Sequence, residues 1–253
     1  DVIFNLAAES DVDISTQDSA RFIQTNIDGV RNLLNIINNR ILIRADKPLF
    51  FQISTDEVYG DIIEGLIDEK QPLKPSNPYS ATKAAADLLI ESYARTFNIE
   101  YIIARPSNNY GYFQYPEKLI PLAVKRLARG KKIKLHNNGK PVRTWTHSED
   151  TTSAILTLYD KAERNRVYNI SSEFEQNNYE TVDKIINAYY LGRLNRTVPN
   201  IKEFLDLSYN RPGQDFRYAI SCEPLRQLQW RPEKVFDEEI IKLVEHYKKE
   251  FVW

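Results

Sequence analysis

The sequence predicts an α/β protein, a Rossmann-like doubly wound parallel sheet with a smaller α/β substrate-binding unit. Three observations carry this. Short apolar runs without polar alternation, at 1–6, 50–53, 99–104 and 167–170, suit parallel strands buried on both faces. Between them lie longer stretches with apolar residues at helical spacing, so strands and helices alternate. The run ending at Ile53 passes directly into Ser54, Thr55, Asp56 and Glu57, and the carboxyl ends of strands are where open α/β sheets hold their ligands.

Taken in order, 1–6 (DVIFNL) is the first buried strand. It ends in Ala7-Ala8, small residues that serve either packing or the close approach of a ligand to the backbone. From 20 to 38, Phe22, Ile23, Ile27, Val30, Leu33, Leu34 and Ile37 form a wide apolar stripe, which predicts a helix facing a core or an interface. After the strand at 50–53, Pro72, Pro75 and Pro78 punctuate an irregular connection into a helix from Tyr79 to about Phe97. The strand at 99–104 leads to Pro106 and the pair Asn108-Asn109. An asparagine amide offers donors and an acceptor together, so the pair acts either as a turn former or as a holder of a hydroxyl or amide. Residues 117–130 read as a helix with Lys118 at its start, 148–160 as a helix capped by Ser148, and 238–251 as an amphipathic helix. Residues 179–209 give no firm register, and no internal repeat occurs.

Bulk properties narrow the partners. A chain of 253 residues, 42% hydrophobic with a formal net charge of -1, is an ordinary globular chain with enough apolar residues for a substantial core. The basic pairs Lys131-Lys132 and Lys248-Lys249 are too short to track a nucleic-acid backbone, and no segment has the roughly 20 apolar residues of a membrane span. The single cysteine, Cys222, rules out an internal disulfide, reads as a small apolar filler and fits a cytoplasmic location. His147 has no Cys or His at ligand spacing, so no metal site is expected.

The chemistry concentrates between 54 and 83. Tyr79 and Lys83 stand four apart at a helix start, on one face one turn apart. A phenol titrates near ~10 in water, and a cation about 4 Å away at an effective dielectric of ~20 is worth roughly 4 kcal/mol, or about three pKa units. Lys83 alone nearly suffices to make Tyr79 a base, while desolvation opposes it. Two adjacent carboxyls, Asp56 and Glu57, suit opposite acid and base roles if their environments separate their pKa values.

At these residues the sequence resembles the extended short-chain dehydrogenase/reductases, and within them the nucleotide-sugar 4,6-dehydratases. The resemblance rests on NLAAES (5–10), FIQTNIDG (22–29), ISTDEVYG (53–60), NPYSATK (77–83), RPSNNYG (105–111), YPEKLIP (115–121) and RPGQDFRYAI (211–220), in family order over nearly the whole chain. The Thr-Asp-Glu triplet is the discriminating part, since epimerases and decarboxylases of the superfamily differ there.

The resemblance implies NAD as cofactor, a dTDP- or UDP-linked glucose as substrate, and a homodimer through the helices at 20–38 and 79–97. It assigns Tyr79, Lys83, Thr55, Asp56 and Glu57 to catalysis. Leu6, Ala7, Ala8, Ser10, Thr25 and Asn109, with Tyr79 and Lys83, are assigned to the cofactor. Ser10, Thr55, Asn108, Lys118, His136, Arg143, Asn178, Arg211 and Tyr218 are assigned to the sugar nucleotide, with Arg143 on its diphosphate. The sequence departs from the family at Asp11 and Gln214, both usually histidine, at His136, often tyrosine, and at Phe216, usually arginine. The implied division is a cofactor domain of 1–105 and about 144–178, a sugar-nucleotide domain of about 106–143 and 179–235, and a C-terminal helix in 236–253. No G-x-x-G-x-x-G occurs, so the glycine-rich phosphate turn is expected upstream of Asp1, as the missing initiator also suggests; the other reading is a chain that binds no NAD. Alternatives on the same scaffold are a 4-epimerase, a decarboxylase or a catalytically silent dinucleotide-binding protein.

Overall fold

The structure, a computed structural model, describes residues 1–42, 48–211 and 213–249. In chain order its elements begin with β1 (Val2–Asn5), α1 (Val12–Gln17), α2 (Ser19–Phe22), a π-helical stretch (Ile23–Asp28), α3 (Gly29–Leu42) and β2 (Leu49–Ile53). A 3-10 turn (Asp56–Tyr59), α4 (Pro78–Phe97), β3 (Tyr101–Pro106), β4 (Asn108–Tyr110), α5 (Leu119–Ala128), β5 (Ile133–Lys134) and β6 (Val142–His147) follow. The chain continues through α6 (Ser148–Lys161), β7 (Arg166–Ile170), β8 (Glu175–Asn177), α7 (Asn178–Leu191), β9 (Leu205–Asp206), α8 (Glu223–Gln227) and α9 (Phe236–Lys249). The helix expected at 20–38 is therefore a succession of segments that includes a π-helical stretch.

Among the described residues, β1, β2, β3 and β7 pair in that order, all parallel, with Phe51 beside Ile102 and Ile103 beside Val167. Successive side chains of a strand point to opposite faces, and Phe50 and Phe51 seed two different cores. Phe50 packs with Val30, Leu34, Ile37, Ala86 and Ile90 from α3 and α4. Phe51 packs with Ala154 and Leu158 of α6 and Leu225 of α8. Both rings are fully buried, each worth roughly 1.5–3 kcal/mol relative to exposure. This two-sided cover makes the sheet doubly wound.

A third core, built from α5, α7 and α9 around Tyr110, Trp145 and Phe236, supports the sheet β4-β6-β8, in which β4 and β6 are parallel and β6 and β8 antiparallel. The stretch at 179–209, which gave no register, supplies most of α7 and also β9, which pairs parallel with β5. Helix α6 is capped not by Ser148, as expected, but by His147, whose Nδ1 accepts from Glu149 N at 3.3 Å. Cys222 is buried with α6 and α8. No helix among the described residues is long and apolar enough to cross a membrane.

Candidate active site

Two local devices set the site. Asn77 caps α4 by accepting from Ser80 N at 2.9 Å while the Ser80 hydroxyl lies 3.3 Å from Asn77 N, and Pro78 occupies the first helical turn, where its missing N–H costs nothing. This puts Tyr79 among the first residues of the helix, with its backbone N–H bonded to Ser15 Oγ at 3.2 Å. At the end of β2, Thr55 caps the 3-10 turn by accepting from Glu57 N at 3.2 Å, so Asp56 and Glu57 leave the strand in fixed directions. Gly60 ends that turn at φ 78 and ψ -159, and a Cβ there would lie 2.1 Å from the Lys74 carbonyl oxygen.

The β2 exit and the start of α4 meet in a cleft of about 470 Å³, lined also by Leu135 and Trp145 of the third core and by Leu119 packed against it. Thr55, Asp56, Glu57 and Tyr79 line it, and so do all nine residues expected at the sugar nucleotide, from Ser10 and Asn108 to Arg211 and Tyr218. Asn109 lines it too, held by its Nδ2 donating to Ser107 O at 3.1 Å and by a hydrogen bond with Thr151. Lys83, Leu6, Ala7, Ala8 and Thr25 are not among the lining residues. The backbone after β1 is exposed at Leu6, Ala7 and Ala8, and Thr25 lies in the π-helical stretch.

The electrostatics separate the carboxyls. Asp56 is 2% exposed; burial and then Glu57 push its carboxyl up to about 8, against the pull of Arg143. Its Oδ1 accepts from Thr55 Oγ1 at 3.3 Å, and its Oδ2 is buried with no hydrogen-bond partner among the described residues. Burial raises Glu57 as well, but Arg143, Lys118 and Arg211 all pull it back down. Glu57 therefore faces more cations, and burial holds Asp56 largely protonated at neutral pH.

Tyr79 differs from the sequence expectation. Burial, with Glu57 next, pushes its phenol well above its ordinary value, and a hydrogen bond to Thr55 opposes this. Lys83 instead donates Nζ to Ile53 O at 2.7 Å, and burial lowers it to about 8. The two side chains of the pair thus have separate partners, because the strand-end carbonyl lies within reach of the ammonium.

Around the rim, Arg143 donates Nη1 to Val142 O at 2.6 Å and Nη2 to Asp215 O at 3.1 Å, and it lies 4.5 Å over the Tyr218 ring. Lys118 donates to Ser10 O at 3.0 Å. His136 Nε2 lies 3.4 Å from Arg211 Nη2, and its ring meets Tyr209 edge-on. Asn108 Oδ1 is buried without a partner among the described residues. Sequence reasoning missed Ser15, Asp13, Gln114 and Asp215. Ser15 and Asp13 lie in a short helix with no distinctive spacing, and Gln114 and Asp215 in irregular segments, so only the tertiary fold identifies them.

The comparisons agree with this geometry. A model of the GDP-mannose 4,6 dehydratase family matches residues 1–243. The low-salt glycan biosynthesis protein Agl12 of Haloferax volcanii is 40% identical over 98% of this chain and 75% of its own length. The dTDP-glucose 4,6-dehydratase of Haemophilus influenzae is 38% identical over 98% of this chain and 76% of its own. Among solved structures, DesIV, a dTDP-glucose 4,6-dehydratase from Streptomyces venezuelae with NAD and TYD bound, has a TM-score of 0.90 at 33% identity, covering 100% of this chain and 74% of that one. With the match running through both the β2 exit and the cleft rim, the chain belongs to the GDP-mannose 4,6 dehydratase family.

Proposed function

We propose that the protein dehydrates a nucleoside-diphosphate glucose, dTDP-glucose in the first instance, to the 4-keto-6-deoxy sugar with NAD as cofactor. One observation carries this reading: Thr55, Asp56, Glu57 and Tyr79 open into the same cleft as the cations Lys118, Arg143 and Arg211. Sugar chemistry and diphosphate charge thereby find partners in one cavity.

The residues fit NAD. Small, exposed Ala7 and Ala8 follow the end of a parallel strand, where cofactors of such sheets lie, and Asn109, whose amide offers donors and an acceptor, lines the cleft together with Tyr79. When bound, NAD supplies the two-electron acceptance at C4 and the return at C6. The chain's own groups handle protons. Tyr79, whose phenol burial raises in the free protein, takes the C4 hydroxyl proton only in its ionised form, which the Lys83 ammonium one helical turn away would favour, while Thr55 hydrogen-bonds that oxygen. Glu57 removes the C5 proton, made acidic by the ketone, and Asp56, held protonated, gives its proton to the departing C6 hydroxyl. Arg143, Lys118 and Arg211 bind the diphosphate by charge-assisted hydrogen bonds.

We read a cofactor unit of 1–105 and about 144–178 and a sugar-nucleotide unit of about 106–143 and 179–235 from the separate cores around Phe50 and Phe51 and around Tyr110; Trp145 and Phe236 pack in the latter core, so its unit also takes β6 and α9. Exposed Ile36 on α3 and Leu88 on α4 support a homodimer through those helices, which light scattering tests. Incubation with NAD and either dTDP-glucose or UDP-glucose, followed by mass spectrometry, tests the function. Loss of one water supports it, whereas an unchanged mass or loss of carbon dioxide replaces it with epimerisation or decarboxylation.

A further inference from the structure

Helix α4 carries an acid that the proton transfers above leave unused. Asp87 is completely buried, and its Oδ2 accepts from Ser54 Oγ and from Arg105 Nε, each at 2.9 Å. Arg105 is buried too; its Nη1 donates to Tyr59 Oη at 2.8 Å, and Tyr59 Oη donates to Asn169 Oδ1 at 2.9 Å. The chain of bonds ties α4, the exit of β2, β3 and β7 together behind the cleft. Asp87 lies one helical turn after Lys83, and its Oδ1 has no hydrogen-bond partner among the described residues. Lys83 in turn holds the carbonyl of Ile53, the residue before Ser54, so both ends of this link grip the same strand end.

We propose that Asp87 is a positioning residue that keeps the Lys83 ammonium charged and directed at the end of β2, with Arg105 keeping Asp87 ionised. The inference rests on the functional reading only in giving Lys83 a catalytic purpose; the coupling itself is a property of the fold.

A lysine as buried as Lys83, 3% exposed, loses much of its affinity for a proton, and an acid beside it restores part of that. Burial brings Lys83 to about 8, and Asp87 is the charge that holds it up. The other titratable groups nearby are Tyr79 on α4, Asp56, Glu57 and Tyr59 after β2, and Arg105 on β3. The helices over 12–42 present to α4 the neutral Ser15 and Asn26, bonded to Tyr79 N and Thr82 Oγ1. Burial pushes the Asp87 carboxyl up, and Arg105, bonded to it at 2.9 Å, and then Lys83 oppose that, so Arg105 is the charge that most favours its anion.

The test is a pH titration of the Lys83 Nζ resonance by nitrogen-15 NMR in the unaltered chain and in Asp87→Asn, with turnover measured alongside. The midpoint falls by about one pH unit or more in the variant. In turnover, a fall of about one unit drops kcat at neutral pH about twofold and a fall of about two units about tenfold, KM changes little, and the high-pH limb moves to lower pH. Asp87→Glu returns the midpoint toward its original position. Because Asp87→Asn leaves Arg105 as a buried unpaired cation, the double variant Asp87→Asn with Arg105→Gln is made as well. It carries no unpaired charge there, and it too lowers the midpoint. An unchanged or raised midpoint in a folded variant overturns the proposal. The titration needs no substrate, so a chain inactive on sugar nucleotides would defeat the functional reading and leave this coupling standing.

Discussion

Arg211 grips Asp13 through two parallel hydrogen bonds, Nε to Oδ1 at 2.7 Å and Nη2 to Oδ2 at 2.8 Å. The pair joins α1 to the segment after β9 across the cleft that both residues line. A guanidinium fork fits a carboxylate and a phosphate equally well, so Asp13 holds Arg211 in an orientation that a diphosphate can take over. Both side chains are partly exposed, 22% and 40%, so screening leaves the pair worth no more than about 1 kcal/mol in stability. Replacing Arg211 with Gln should therefore raise KM for the sugar nucleotide about tenfold or more, the worth of a charged hydrogen bond, while the melting temperature hardly moves. Steady-state kinetics and thermal melts check this.

Asp56 makes stability and activity pull against each other. Its folded pKa, about 8, lies above its ordinary 3.8, so the stability tied to its proton is complete below the lower value and is lost as pH rises to the upper one. Asp56→Asn removes that loss. The variant should be more stable than the parent at pH 8, by on the order of a few kcal/mol, with little difference at pH 4. It should also lose elimination, because an amide has no proton to give the C6 hydroxyl. Denaturant melts at the two pH values, with product analysis, are the measurements.

How much of this was legible in the sequence depends on the range of the interactions. Phe50-Phe51 and the run at 99–104 marked a buried sheet because strand burial leaves a local signature, and the two phenylalanines do face separate cores. The cleft residues after β2 and at the head of α4 were legible because spacing and motif are local as well. The partner of Lys83 was not. A helix wheel places Lys83 over Tyr79, but the Ile53 carbonyl that accepts its proton is set by how α4 packs on β2. Asp13 and Asp215 escaped for the same reason, since Asp13 meets its partner 198 positions away and the field of Asp215 on Glu57 exists only after folding.

Gly60 gives a test of the turn itself. At φ 78 and ψ -159 it occupies backbone space that essentially glycine alone adopts, and the Lys74 carbonyl leaves no room for a methyl. Gly60→Ala should cost on the order of 3 kcal/mol by urea denaturation. Since the obstruction is backbone, relief must come from shifting the turn that carries Asp56 and Glu57, so kcat should fall in the protein that remains folded.

Tyr218 sets the last expectation. Its hydroxyl lies 2.7 Å from Asp215 Oδ2 and 3.4 Å from Glu57 Oε2, so one phenol stands between two acids. Asp215 already raises Glu57, and the phenolic O–H partly answers that repulsion at the oxygen it approaches. Tyr218→Phe removes the donor and leaves the ring under Arg143, so the ionised form of Glu57 loses support while the cation stays in place. A base that is harder to ionise needs a higher pH, and the acidic limb of kcat/KM should move upward. The weak geometry at Glu57 limits the loss below neutrality to about two- to tenfold, with near-normal rates where Glu57 is fully ionised. A uniform loss at every pH would instead mean that Tyr218 acts through substrate binding alone, and a pH profile of kcat/KM separates the two.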